Sequence, residues 1–286
     1  IGMSTYKILT AASVMALFGA AASAEMPMNV YGDIGFAIGR DHVLSTDDDG
    51  EKYGVSSRSL QGYVGTDYSG WRGTLDFAIM GRDDGGETYF DSFAPNKAAA
   101  LGLHAGREIG EKAYVGIFAG KNWFQGDDAG TYNSYVNGTL YGLEAEAELV
   151  PGAAIYGQYG YADMVGDEND TAFKGHFGKV GMSMQRDRLL MRLEGEWGRS
   201  PNIFEDEDDW GEYTKIALGG EYELRPNLFA TAQISHMEIT ANSDDDGEDN
   251  SIQLGLKMSF GKPGQVNNLR TPYTPGLAAA WAEVLD

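Results

Sequence analysis

The feature that most constrains this chain is a two-residue alternation that returns in segment after segment of about ten residues. In the last segment Ile252, Leu254, Leu256, Met258 and Phe260 alternate with Gln253, Gly255, Lys257 and Ser259. An extended backbone then shows one apolar face and one polar or small face. Trp71, Leu75, Phe77 and Ile79 alternate in the same way with Arg72, Thr74, Asp76 and Ala78. So do Leu189, Met191, Leu193 and Trp197 with Arg192, Glu194 and Glu196, and Ile216, Leu218, Tyr222 and Leu224 with Lys215, Glu221 and Glu223.

Twelve such strands are expected, at 28–40, 57–68, 71–81, 97–107, 113–123, 133–149, 153–164, 171–185, 188–199, 212–224, 228–240 and 251–260. Their connections alternate between short turns, such as Tyr68-Ser69-Gly70-Trp71 and Val150-Pro151-Gly152, and longer loops at 41–56, 82–96, 124–132, 165–170, 200–211 and 241–250. Short turns on one rim and long loops on the other predict an all-β fold: a transmembrane, antiparallel, up-and-down β-barrel with both ends of the barrel segment on the periplasmic rim. Trp71, Trp123, Trp197, Tyr68, Tyr222 and Phe260 fall near strand ends, where an aromatic girdle meets lipid headgroups. Strands five, seven and eight are harder to orient; in strand eight Phe173 and Phe177 oppose Val180, Met182 and Met184, and a bulge is one way to reconcile them.

Composition narrows the class further. The chain has 43 Asp and Glu against 21 Lys and Arg, a formal charge of −22, and such a surface repels nucleic-acid phosphates. With no Cys there is no thiol catalysis, thiolate metal site or disulfide, and the 40 Gly and 12% aromatic content suit many short strands. Residues 1–24 read as a cleaved secretory signal peptide, with Lys7 before an apolar stretch and Ala22-Ser23-Ala24 as the cleavage site. Residues 25–260 then form the barrel. Residues 261–286 form a tail with Pro263, Pro272 and Pro275 and a short helix from Leu277 to Leu285, which Thr274 would cap. This tail is expected to lie in the periplasm, with a lumen plug or a partner-binding segment as the alternatives.

The runs Tyr141 to Gly152 with Tyr156 to Tyr161, Leu218 to Leu224 with Pro226-Asn227-Leu228, and Asp249 to Gly261 resemble strand–turn–strand units of Gram-negative porins, especially alphaproteobacterial ones. The resemblance extends from about 28 to 260 and is one of pattern. It implies an outer-membrane location, contact with outer-membrane lipid and lipopolysaccharide, a terminal aromatic at Phe260 recognised by the barrel-assembly machinery, and passage of small hydrophilic solutes. Homo-oligomers are compatible with it. Two departures matter: porins of that family typically carry more strands and an inward-folded third loop, and their terminal aromatic closes the chain, whereas Phe260 precedes the tail.

For a pore the chemistry is the inner wall. Strand parity turns Asp33, Asp67, Arg72, Asp76, His104, Arg192, Glu194, Glu196, Lys215, Glu221 and Lys257 inward, with Glu144, Glu146 and Glu148 as an acidic ladder near the periplasmic mouth. Arg192 and Lys215 are expected to face Glu194 and Glu196, giving either a transverse field or a packed, closed interior. The expected activity is passive diffusion with a cation preference; the alternative is a closed structural barrel. Acidic runs in every long loop, among them Asp47-Asp48-Asp49 and Asp244-Asp245-Asp246 with Glu248-Asp249, suit divalent cations bridging to lipopolysaccharide, or simply a solvated repulsive surface. No cofactor is expected. No enzyme is expected either, because none of His42, His104, His176 and His236 has a Ser two residues on, the spacing of barrel phospholipases.

Overall fold

The computed structural model describes residues 29–45, 52–83, 97–125, 135–166, 171–201, 210–241, 246–261 and 268–284. The signal-peptide and most loop expectations, including nearly all the acidic runs, lie outside these residues.

Twelve strands form one closed antiparallel barrel in which each strand pairs with its sequence neighbours and β1 pairs with β12. They are β1 (Asn29–Ser45), β2 (Lys52–Tyr68), β3 (Trp71–Asp83), β4 (Lys97–Ile109), β5 (Ala113–Gln125), β6 (Tyr135–Val150), β7 (Ala153–Val165), β8 (Thr171–Arg186), β9 (Leu189–Ser200), β10 (Gly211–Arg225), β11 (Leu228–Ala241) and β12 (Asp246–Phe260). Closure joins Gly32 to Phe260 at one rim and Ser45 to Gly247 at the other. It leaves no unpaired sheet edge for another chain to extend.

The short turns bend as their residues allow. Ser69 and Gly70 both take positive φ, 53° and 79°, the backbone of a tight hairpin turn whose twist matches its strands. Asp187, Asn227, Gly110 and Gly152 supply the left-handed residue in the other four.

Leu254, Leu256 and Met258 on β12 and Ile34's neighbours Phe36 and Ile38 on β1 are all more than half exposed. Similar side chains stand out from every strand around the cylinder. A belt of this extent is intolerable in water and natural against hydrocarbon. Tyr68, Trp71 and Tyr222 stand outward near the short-turn rim, and Trp197 towards the long-loop rim.

Two expectations are corrected. The strands run further towards the long-loop rim than expected: β1 continues to Ser45 opposite β2, with Asp41 facing Val55 and Leu44 facing Lys52, and β12 begins at Asp246. Continued ladder pairing converts supposed loop acids such as Asp249 into wall residues. Strand eight also needs no bulge between Phe177 and Val180. Phe173, Phe177 and Lys179 are buried while Val180, Met182 and Met184 are exposed, which is plain alternation with the two phenylalanines turned inward and an apolar stretch turned outward.

The larger correction concerns the tail. Residues 268–284 lie inside the barrel, not beneath it. They hydrogen-bond β1, β3, β4, β5, β8, β9 and β10, and no position outside a closed cylinder reaches all of those walls. The helix α1 (Thr274–Val284) leans towards β5 to β8, β10 and β11. It starts with Leu277 N–H donating to the Tyr273 carbonyl, so Pro275 sits in the first turn, where its missing N–H costs nothing. The segment enters because the lumen offers what it needs: apolar side chains for the helix and charged partners for Arg270.

Candidate functional site

The lumen has two levels. Towards the long-loop rim, inward residues of many strands are apolar: Val43, Val55, Met80, Ala98, Phe124, Val136, Met164, Phe173, Tyr213, Met237 and Ile239. They form one buried cluster with Leu277, Ala278, Ala279 and Ala280 of α1. Three consecutive alanines let the helix backbone approach the walls closely. Leu277 alone, once buried, contributes about 1.5–3 kcal/mol to holding it there. Tyr273 extends this collar, its ring centroid 6.1 Å from that of Phe124, and burial pushes its phenol pKa up to about 12.

Below the collar the wall is polar. A chain of alternating charge runs Arg192, Glu221, Lys257, Asp33, Arg270 across β9, β10, β12, β1 and the tail. One guanidinium nitrogen of Arg270 donates to both Asp33 oxygens, at 2.8 and 2.9 Å. Burial alone would lower the Arg270 pKa, but Asp33 outweighs it and the guanidinium stays firmly charged. Beside this chain the Thr271 N–H and Oγ1 both donate to Asp76, at 2.6 and 2.7 Å. His104 links Glu144 (Nδ1 to Oε2, 2.7 Å) to Thr271 (Nε2 to Oγ1, 3.1 Å). Glu144 also accepts from Tyr114 at 2.9 Å and from Gln158 at 3.0 Å. Arg192 donates to Asn268 Oδ1 at 3.2 Å, and Asn268 donates to Ser183 at 3.1 Å.

Every inward residue chosen from strand parity is thus buried or half-buried on the inner side, but the partners differ from those expected. Arg192 binds Glu221 on β10, because the register sets Arg192 opposite Gly219 and brings Glu221 within reach. Glu194 binds Tyr156 at 2.8 Å and Lys179 at 3.5 Å. Lys215 reaches only Thr274, at 3.4 Å, and Glu196 has no ion partner among the described residues. Positive and negative groups interleave in pairs and do not segregate to opposite walls. Near the short-turn rim Arg72 sits 3.4 Å from Glu108 and 3.9 Å from Asp67, over the Tyr114 ring. There Glu146 and Glu148 line a vestibule of about 380 Å³. The acidic ladder is therefore divided, since Glu144 is consumed by His104, Tyr114 and Gln158.

Sequence reasoning missed Asp41, Arg82, Asp249, Lys179 and the tail's own contacts. Arg82 bridges Asp41, at 2.8 Å, and Asp249. Extending strand parity by a few residues would have found all three, since Asp41 shares its face with Asp33 and Arg82 with Asp76. Among the described residues no group of His, Asp and Glu is arranged to hold a metal ion.

Between tail and wall, on the side of β1 to β3 and β9 to β12, a polar cavity of about 250 Å³ remains. Small inward residues such as Gly35, Ala37, Ser59, Gly219 and Ser251 leave this space.

No family model matches the chain, and no curated protein matches it. Among solved structures it is similar to the translocator domain of autotransporter NalP from Neisseria meningitidis, at 13% identity over 89% of this chain and 98% of that one, with TM-score 0.49. It is also similar to the P. putida toluene transporter TodX, at 9% identity over 84% and 92% with TM-score 0.47, and to the KdgM porin, at 11% over 78% and 99% with TM-score 0.40. Values this low say nothing of activity. The architecture stands on the chain's own ladder: a closed twelve-stranded transmembrane β-barrel whose C-terminal segment occupies its lumen.

Proposed function

We propose that this protein is an outer-membrane channel for ions and small hydrophilic solutes, closed at rest by its own C-terminal segment. The observation that carries this reading is the nature of the contacts between tail and wall beneath the collar. Paired charges on the wall suit open and closed membrane barrels alike, so it is the material in the centre that distinguishes them. Here the filling is a continuous strap held by exchangeable polar contacts, Arg270 to Asp33, Thr271 to Asp76 and Asn268 to Ser183 and Arg192, beside an unfilled polar cavity. Each can be replaced by water once the strap moves.

Withdrawal of the strap takes the Arg270 cation out of the wall and leaves Asp33 and Asp76 facing the passage. The opened lumen therefore prefers cations, moderately, because Arg72, Arg82, Lys179, Arg192, Lys215 and Lys257 remain. The apolar collar favours a second reading, a barrel that never opens. Purified full-length protein in a planar bilayer separates the two: discrete, infrequent conductance steps support the channel, and silence from folded, heat-modifiable protein supports the closed barrel.

A further inference from the structure

The lining of the polar cavity is almost fully neutralised by pairs. Asp41 and Asp249 bind Arg82, Asp33 binds Arg270 and Lys257, Glu221 binds Arg192 and Lys257, Glu194 binds Lys179, and Asp76 binds His104 and Thr271. Two lining charges remain without an ion partner within 4.0 Å among the described residues, Lys215 on β10 and Glu196 on β9. They are register partners, directly opposite on neighbouring strands, and on its other side Glu196 lies opposite Lys179, whose ammonium turns to Glu194 at 3.5 Å. The Lys215 and Glu196 side chains start about 5 Å apart on the same inner face. Both are half-buried, and both line the cavity. Further along β10 on the same face, Gly219 leaves open space, for a Cβ there would meet nothing closer than 3.8 Å.

We propose that Lys215 and Glu196 form a binding station for small zwitterions of the α-amino-acid class, the ammonium on Glu196 and the carboxylate on Lys215. This deepens the channel reading and rests on it, since a solute reaches the cavity by entering the lumen. A direct Lys–Glu contact in a wet lumen is worth at most about 1 kcal/mol. No such contact forms here, so a solute that bridges the two displaces only the Lys215 contact to Thr274 and gains two charge-assisted hydrogen bonds. A cation or an anion alone satisfies one partner and leaves the other exposed to an unpaired charge, so the station selects for both signs on one small molecule. The cavity, of about 250 Å³, holds a solute of roughly ten heavy atoms and so admits the small members of this class.

The test is equilibrium binding to the full-length protein folded in detergent, read by saturation-transfer NMR with glycine, acetate and methylamine as probes. Glycine should bind at least about fivefold more tightly than either single-charge probe, as two ion contacts against one require. Glu196→Gln and Lys215→Gln should each remove that preference. The double exchange Glu196→Lys with Lys215→Glu, which keeps both signs on the wall, should restore it in protein whose heat-modifiability reports an intact barrel. Equal binding of the three probes, or a glycine preference untouched by both Gln variants, overturns the proposal. A missing conductance would instead contradict the channel reading, so the two failures are told apart by different readouts.

Discussion

Arg270, on the tail, and Asp33, on the first strand, form a forked contact in which one guanidinium nitrogen lies 2.8 and 2.9 Å from the two carboxylate oxygens. The contact ties the segment after the last strand to the strand that opens the barrel, 237 residues away. Lys257 lies 3.6 Å from the same carboxylate, so Asp33 is not left unpaired when Arg270 is removed. Arg270→Ala should therefore loosen the strap without leaving an orphaned charge, at a cost of about 1–3 kcal/mol for the lost charged hydrogen bonds. The expected result in a planar bilayer is a higher open probability at unchanged unit conductance. Unchanged gating would show that the contact does not hold the strap.

A second prediction concerns space. Gly102 on β4 faces Thr271 so closely that a Cβ there would lie 1.4 Å from the Thr271 Oγ1 and 2.4 Å from the Asp76 Oδ1. Gly102→Ala must push Thr271 and the Asp76 carboxylate apart, since both lie within 2.5 Å of the new methyl group. Limited proteolysis should then cut the tail faster than in the parent protein, with the barrel itself resistant. Equal protection of the tail would contradict the placement of Thr271.

The outer surface gives a third. Leu256 stands on the lipid-facing side of β12, 54% exposed, between Leu254 and Met258. Leu256→Arg near mid-membrane should cost roughly 2–4 kcal/mol, measured by denaturant unfolding of protein folded into thin bilayers. No loss of stability would contradict the assignment of that face to lipid.

Which parts of this were legible in the sequence follows from period and parity. A two-residue alternation with one apolar face, as in Ile252 to Phe260, specifies a strand and its orientation together, and the count of twelve and the inward charges followed from it. Phe118, Phe173 and Phe177 defeated it, because at these positions of β5 and β8 the inward face is itself apolar and alternation has little contrast to report. Asp249 was lost to a loop because an acidic run reads as solvent, and only the pairing of β12 with β1 and β11 brings it beside Arg82. The seat of the tail was not legible at all. Three alanines and a leucine describe a weak helix anywhere, and what draws it inward is a collar assembled from residues more than two hundred positions apart in sequence, such as Val43 and Leu277.

The division of the acidic ladder gives a fourth prediction. Glu146 and Glu148 face the vestibule at the short-turn rim, while Glu144 is 4% exposed and engaged by three side chains. Replacing Glu146 and Glu148 by Gln should move the reversal potential across a salt gradient towards anions. The shift should shrink at high salt, since exposed charges are screened beyond roughly 8 Å at 0.15 M ionic strength. A shift that survives 1 M salt, or none at any salt, would contradict their place at an open mouth.

The central claim is that the C-terminal segment closes the lumen, and single-channel conductance of two variants beside the parent tests it most directly. One lacks residues 262–286. The other carries Ser183→Cys with Asn268→Cys, at side chains whose polar atoms lie 3.1 Å apart in a chain with no native cysteine. The deletion should conduct persistently with larger unit steps than the parent, and the paired cysteines should be silent when oxidised and conduct again on reduction. A deletion protein that folds, by heat-modifiability, yet conducts no more than the parent would contradict the account, as would an oxidised tether that gates as freely as the reduced one.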